Sequence, residues 1–192
     1  MTDQDLIQGI VERNQTVFKE LVTQHQQLVI RTCYSLVHNL EDAEDLAQDV
    51  FIEIMRSTGS FRGKAKLSSW IYRIAVNKAL NHLKKKRTKE FIRLITFKTK
   101  TEREELEQDH GKDQSGADTR MEAKELQTAL HSAIDRLPEN QRIAFALHHY
   151  EDLPYRDIAE VMGVSLASVE SLIHRGKMNL QKRLNHYYQD YR

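Results

Sequence analysis

Proline is nearly absent from this chain, and that scarcity limits its possible folds more than any other feature of the sequence. The 192 residues contain two prolines, Pro138 and Pro154, and seven glycines. Proline ends helices because it lacks a backbone N–H and clashes with the preceding turn, and glycine weakens them through the entropy lost on folding. Alternating runs of Val, Ile and Thr, which would indicate strands, are few. The sequence therefore predicts an all-α fold built from long helices.

Apolar residues recur at three- and four-residue steps in two separate blocks, which predicts two small helical domains. Between them, an acidic stretch and a polar tract have the composition of a linker. We predict a first domain over residues 1–87, a flexible linker over 88–120 and a second domain over 121–192. One part of the linker is more apolar than a solvent-exposed linker should be, and we expect it to pack on a domain or a partner: Phe91, Ile92, Leu94, Ile95 and Phe97.

The first block predicts three helices, which begin near Phe18, at Asp42 and at Ser68 or Ser69, the last ending near Lys86. The second of these helices carries an apolar stripe with two apolar neighbours: Leu46, Val50, Ile54, Phe51 and Met55. The second block predicts helices over 121–136, 139–150, 154–162 and 166–187, with Pro138 in a first turn and Ser165 as a cap.

The formal net charge of +1 hides a strong separation of charge. Residues 62–100 hold thirteen Lys or Arg and the single acid Glu90, whereas residues 40–53 hold six acids and no Lys or Arg. One surface should attract nucleic acid and another should repel it, which suggests two partners. Cys33 is the single cysteine and no signal-peptide or membrane-spanning run is present, so we expect a soluble cytoplasmic protein without membrane insertion.

The end of the second block has the pattern of a helix-turn-helix. Counting from Tyr155, a small residue is fifth (Ala159), glycine is ninth (Gly163), and the fifteenth and eighteenth are Val169 and Leu172. The small residue lets two helices approach, glycine permits a left-handed turn, and the two apolar residues pack back onto the first helix. In this register a recognition helix would present one face to the major groove, with a basic flank at its end: Ser168, Glu170, Ser171, His174, Arg175 and Lys177.

Two alternatives bear on this interpretation. An ordinary αα-hairpin in a helical bundle can have the same spacing. Glu170 also counts against DNA binding, because phosphate repels a carboxylate, which is useful mainly for accepting a hydrogen bond from cytosine N4.

The motifs of both blocks resemble those of one family in the same order. The segments 42–51, 61–63 and 69–77 resemble region 2 of the extracytoplasmic-function (ECF) sigma factors of the sigma-70 family, and the segment 137–175 resembles region 4. The resemblance implies a subunit that binds core RNA polymerase and directs promoter recognition and transcription initiation. In this family, region 2 reads and melts the −10 element and region 4 reads the −35 element.

The resemblance also implies roles for individual residues. It places Asp45, Gln48 and Asp49 on the clamp helices of the largest polymerase subunit, although composition alone would make them a solvated face. The flap of the polymerase is the second implied docking site. Recognition of the −10 element would fall to six residues, with an extruded base held by stacking and by hydrogen bonds to its edge: Phe61, Trp70, Asn77, Lys78, Asn81 and Lys84.

The −35 contacts would come from the outward face of the recognition helix given above. Glu170 and Leu172 stand where many family members carry basic residues, so the usual contacts do not transfer there, whereas Ser171 and Arg175 transfer more safely. A lone tryptophan is often a core residue, which is the alternative for Trp70. The implied partners are core RNA polymerase, promoter DNA and an anti-sigma factor, which in this family commonly clamps the two domains.

Two other classes of protein compete with this interpretation. A conventional helix-turn-helix transcription factor would bind duplex DNA unaided, but it leaves the first block unexplained. An enzyme has little support, because His148 and His149 have no partner with zinc-site spacing and no glycine-rich phosphate-binding loop follows a strand. We therefore expect no catalytic activity, metal or cofactor.

Overall fold

The computed structural model describes residues 2–58, 61, 66–98 and 118–190, with the side chains of 94–98, 118–124 and 186–190 left out. The described residues form eight helices and no strand, which confirms the all-α prediction. In chain order the helices are α1 (Asp3–Val11), α2 (Gln15–Val37), α3 (Leu40–Ser57), α4 (Leu67–Lys98), α5 (Asp118–Asp135), α6 (Glu139–His149), α7 (Tyr155–Met162) and α8 (Leu166–Asp190).

Side-chain caps define where the first three helices begin. Thr2 and Asp5 form a capping box at α1, and the side chains of Asn14 and Asn39 accept backbone hydrogen bonds at the starts of α2 and α3. These caps satisfy N–H groups that have no partner within the helix. We did not predict α1, which is short and buries Leu6 and Ile10.

Helices α2, α3 and α4 pack against one another as the bundle of the first block. Its fully buried side chains come from all three helices and include Leu21, Leu36, Val50, Ile54 and Ile71. Met55 was predicted to lie beside the apolar stripe of α3, but it is 55% exposed. Its position, one residue beyond Ile54 on the helix, turns it away from the bundle.

Helix α4 extends past the predicted end near Lys86 and continues to Lys98. Neither glycine nor proline occurs between these two residues, so no residue there disfavours continued helix. The start of the expected linker is therefore helical. Phe91 and Ile92 are 63% and 57% exposed, while Leu94, Ile95 and Phe97 have no described side chains.

Helices α5, α6, α7 and α8 form the second block. Pro138, which was predicted for the first turn of α6, is instead its N-cap. Its ψ of 141° keeps the chain extended until Glu139 begins the helix. A second cluster of buried residues joins α5, α6 and α8: Ala133, Ile134, Leu137, Phe145 and Leu180.

The two blocks also pack against each other, which the sequence did not indicate. Helix α7 lies against α4, and α6 lies against α2. Ile71 and Ala75 of α4 belong to the same continuous buried cluster as Ile158 and Val161 of α7. The larger hydrophobic core is thus shared between the two blocks.

Candidate nucleic-acid interface

Helix α3 presents an exposed acidic face. Asp45, Gln48 and Asp49 are all exposed, as predicted, and the opposite face of the helix is buried. Ile52 and Met55 follow at helical spacing on the same side and are 46% and 55% exposed. This face, which we call the α3 face, therefore joins negative charge to an apolar end that was not predicted. Apolar residues on a helix are normally assigned to the core, so this apolar end can be recognised only from the exposure of Ile52 and Met55 in the structure.

The rings of Phe61 and Trp70 lie together at the start of α4. Their centroids are 5.2 Å apart with an interplanar angle of 54°, a tilted aromatic pair. Both residues are partly buried, and Trp70 packs against the hydrophobic core. Trp70 thus contributes to the core and also leaves part of its ring accessible beside Phe61.

Along α4, Asn77, Asn81 and Lys84 are exposed on the face predicted from their spacing. Lys84 lies 3.3 Å from a carboxylate oxygen of Glu139. Lys78 does not join this face, because its ammonium group lies 3.0 Å from the Glu53 carboxylate of α3. The six residues assigned to one DNA site are therefore divided into an aromatic pair, an exposed polar stripe and one lysine directed toward α3.

The turn between α7 and α8 has the geometry of a helix-turn-helix. Gly163 ends α7 with φ of 67° and ψ of 35°, a left-handed conformation that disfavours residues with a Cβ. The Ser165 hydroxyl then accepts a hydrogen bond from the backbone N–H of Ser168 at 3.2 Å, which caps α8 as predicted. Val169 is fully buried and belongs to the same core as Ile158.

The outward face of α8 carries the residues predicted for the major groove. Glu170, His174, Arg175 and Lys177 are exposed, and Ser168 and Ser171 are partly exposed. A shallow groove of about 450 Å³ runs beside this face and has Asn140 of α6 in its wall. Asn140 lies outside the two helices of the motif, so the motif did not predict it. The other lining residues come from the turn and from α8: Val164, Ala167, Ser168, Ser171, Leu172 and Arg175.

A buried polar cluster connects the two blocks. The side chain of Glu151 is fully buried, and its Oε2 lies 3.2 Å from both the Arg31 guanidinium and the Tyr72 hydroxyl. Burial raises the pKa of Glu151, while Arg31 and the hydrogen bond from Tyr72 act in the opposite direction. Burial and the Glu151 carboxylate also raise the pKa of Tyr72.

Within the described part of the chain, no group of three or more His, Cys, Asp or Glu side chains could hold a metal ion. No helix there is long and apolar enough to cross a membrane.

Models of two protein families match this chain, one in each block. Sigma-70 region 2 matches residues 21–89, and Sigma-70 region 4 matches residues 127–180. The RNA polymerase sigma-H factor of Pseudomonas aeruginosa is 33% identical over 183 residues, which is 95% of this chain and 93% of that protein. The ECF RNA polymerase sigma-E factor of Escherichia coli K12 is 30% identical over 190 residues, covering 96% and 95% of the two chains.

The chain belongs to the ECF sigma factors of the sigma-70 family. Proteins of this family are transcription initiation factors rather than enzymes, and they direct RNA polymerase to promoters. The match to region 2 explains the first block, which an ordinary helix-turn-helix transcription factor left unexplained.

A solved structure has the same fold as this sigma factor. It is the complex of the sigma factor RpoE with the anti-sigma factor NepR from Bartonella quintana, with a TM-score of 0.58 and 21% sequence identity. The alignment covers 88% of this chain and 96% of that one. The family matches assign the first block to region 2 and the second block to region 4.

Proposed function

We propose that the two blocks of this sigma factor divide promoter recognition between them in the cytoplasm. Residues 1–87, together with the continuation of α4, would dock on core polymerase and recognise the −10 element. Residues 121–192 would recognise the −35 element and contact the flap. The observation that carries this proposal is the pairing of an aromatic site on α4 with an exposed helix-turn-helix face on α8 in one chain.

The −10 site would use Phe61 and Trp70 to stack a base and Asn77 to read its edge. Asn77 is seven residues after Trp70, so it lies two turns along the same face of α4. Asn81 and Lys84 extend this stripe toward the sugar-phosphate backbone. Lys78 is less suited to contact DNA because its charge is paired with Glu53.

The −35 site would use Arg175 and Ser171 beside the groove, with Ser168, His174 and Lys177 along its edges. Glu170 is exposed on the same helix and would disfavour phosphate nearby. Polymerase docking would use Asp45, Gln48 and Asp49 against the clamp helices of the largest subunit. The Bartonella quintana relative is solved with an anti-sigma factor, and we propose that this chain also has such a partner.

The substitution Asn77→Ala tests the −10 site with little effect on packing, because the residue is exposed. We expect it to impair open-complex formation with core polymerase and to relax base preference at −10, with polymerase binding and thermal stability nearly unchanged. Gln27→Ala, which removes an exposed amide from α2 instead, should leave open-complex formation and base preference at −10 unaltered.

A template with a premelted −10 bubble separates base reading from strand opening, since it removes the cost of unpairing but still presents the base. The loss of base preference should persist on this template. Full activity of the Asn77 variant with normal base preference on both templates would exclude the proposed site.

A further inference from the structure

Acidic residues of α7 lie against a lysine and a serine at the start of α4. The ammonium group of Lys66 donates to both carboxylate oxygens of Asp157, at 2.9 and 3.1 Å. The hydroxyl of Ser69 donates to a carboxylate oxygen of Glu160 at 3.0 Å. Two carboxylates from the region 4 block are thus held by polar groups of the region 2 block.

The C-terminal end of α7 is held in the same way. Nε of Arg73 donates to the carbonyl oxygen of Val161 at 3.1 Å, and its terminal nitrogen donates to the carbonyl oxygen of Glu160. The last carbonyl groups of a helix carry partial negative charge, so a guanidinium at this position is stabilising. Arg73 therefore binds the negative end of the first helix of the helix-turn-helix.

These contacts lie on the stripe of α4 that contains the proposed −10 site. Lys66, Trp70, Arg73 and Asn77 follow one another at steps of four, three and four residues, which places them along one face. The backbone N–H of Trp70 also donates to the carbonyl of Lys66, which fixes Lys66 at the first turn. The cations paired with α7 therefore alternate with the residues proposed to hold the base.

We propose that α7 acts as an internal mimic of single-stranded DNA, with Asp157, Glu160 and the end of the helix occupying the positions of backbone phosphates on α4. This inference rests on the −10 site proposed above. It makes the packed arrangement an inhibited state, in which region 4 must leave α4 before a −10 strand can bind. The buried contacts of Glu151 with Arg31 and Tyr72 hold the same two blocks together.

The size of a promoter supports this incompatibility. The −35 and −10 elements lie about 25 base pairs apart by their numbering, which is roughly 85 Å at about 3.4 Å per base pair. A compact chain of 192 residues has a radius of gyration of about 16 Å. With α7 packed on α4, the two blocks cannot contact both elements at once.

The double variant Asp157→Asn, Glu160→Gln removes the two charges from the inner face of α7. We expect it to bind a fluorescent single-stranded 20-mer of random sequence about five-fold more tightly than the wild-type chain, since each pair contributes modestly. The matched control is Glu12→Gln, Glu20→Gln, which changes net charge equally at exposed positions at the end of α1 and on α2. Equal affinity of the two double variants would mean that only net charge matters and would overturn the proposal.

A covalent lock provides the converse test. Cysteines introduced as Lys66→Cys and Asp157→Cys can be joined by a short bismaleimide, because the Lys66 and Asp157 side chains are 62% and 19% exposed. Cys33 is buried, and burial raises the pKa of its thiol to about 12, so it should not react. We expect the joined protein to lose binding to the 20-mer, whereas the same variant treated with a monofunctional maleimide retains it. Undiminished binding by the joined protein would show that α7 does not cover the site.

The two proposals fail differently. The Asn77 test uses core polymerase and a premelted template, so its outcome concerns the −10 site itself. If Asn77→Ala relaxes base preference but the α7 double variant binds the 20-mer no better than its control, only the internal mimic is overturned. If Asn77→Ala has no effect on either template, both proposals lose their basis.

Discussion

Arg175 is the residue on which the −35 assignment depends most. It is exposed, borders the groove on α8, and has the planar donor geometry that matches the major-groove edge of guanine. Glu170, which is exposed on the same helix, is repelled by phosphate, so a contact of Arg175 with a base fits α8 better than a contact with phosphate. The spacing from Tyr155 predicted the exposure of both residues because helix geometry alone determines it.

We expect Arg175→Ala to cost about 1–3 kcal/mol in binding of the polymerase holoenzyme to promoters with the preferred −35 base, and much less to other sequences. Arg183→Ala, another exposed arginine further along α8, is the matched control and should weaken binding little. Binding across promoter variants at two salt concentrations measures both effects. A uniform loss on all sequences, with the salt slope reduced by about one, would instead assign Arg175 to a phosphate.

His38 also lies between the two blocks. Its ring stacks on His131 of α5 with centroids 4.1 Å apart, and Asp135 and Arg142 lie close by. Burial lowers the pKa of His38, the His131 and Arg142 charges lower it further, and Asp135 opposes them. A base with a lowered pKa resists protonation in the folded state, so acid favours unfolding.

The free energy of unfolding should therefore fall as pH drops from about 7 to about 5, through the ordinary histidine pKa and toward the lowered one. His38→Asn removes the titrating ring and keeps a residue tolerant of the left-handed backbone at φ of 55°. This variant should lose less stability over that range in urea unfolding. His174→Asn, an exposed substitution, serves as the control, and identical pH slopes for both variants would rule out the role of His38.

At the scale of elements, the sequence predicted those helices whose signals are local. The turn between α7 and α8 follows from Gly163 and Ser165, each of which has one clear steric or capping role. Helix α1 was not predicted because nine residues are too few to show a helical period. The end of α4 was placed too early because no residue after Lys86 marks where the helix stops. The exposed apolar end of the α3 face could not be predicted, since sequence alone does not reveal which apolar residues remain outside the core.

The α3 face is the element proposed to dock on polymerase. We expect Asp45→Lys, Asp49→Lys to weaken binding to core polymerase on the order of ten-fold while circular dichroism is unchanged, because both side chains are exposed. Glu12→Lys, Glu20→Lys makes the same change of charge on exposed residues elsewhere and should have little effect. Equal affinities for the core enzyme in the two variants would exclude this helix as the docking surface.

For the whole molecule, the sequence predicted two helical blocks and their order but not how they pack together. The contact between Arg31 and Glu151 joins residues 120 positions apart, and no local pattern reports such a pairing. The charge separation along the sequence predicted two surfaces of opposite charge, and α3 does carry exposed acids while the later part of α4 carries exposed cations. Their partners stay a prediction. The sequence did not indicate that Asp157 and Glu160 of α7 bind Lys66 and Ser69 at the start of α4, since each set by itself resembles a solvated face.

The central claim is that this chain recognises promoters only as a subunit of RNA polymerase. Its most direct test measures binding and opening of a promoter library by the full chain, with and without core polymerase. Alone, the chain should bind duplex DNA weakly, with strong salt dependence and little sequence preference; with core polymerase it should select promoters and open their −10 elements. Tight, sequence-specific binding to duplex DNA by the chain alone, together with failure to bind core polymerase, would contradict this claim.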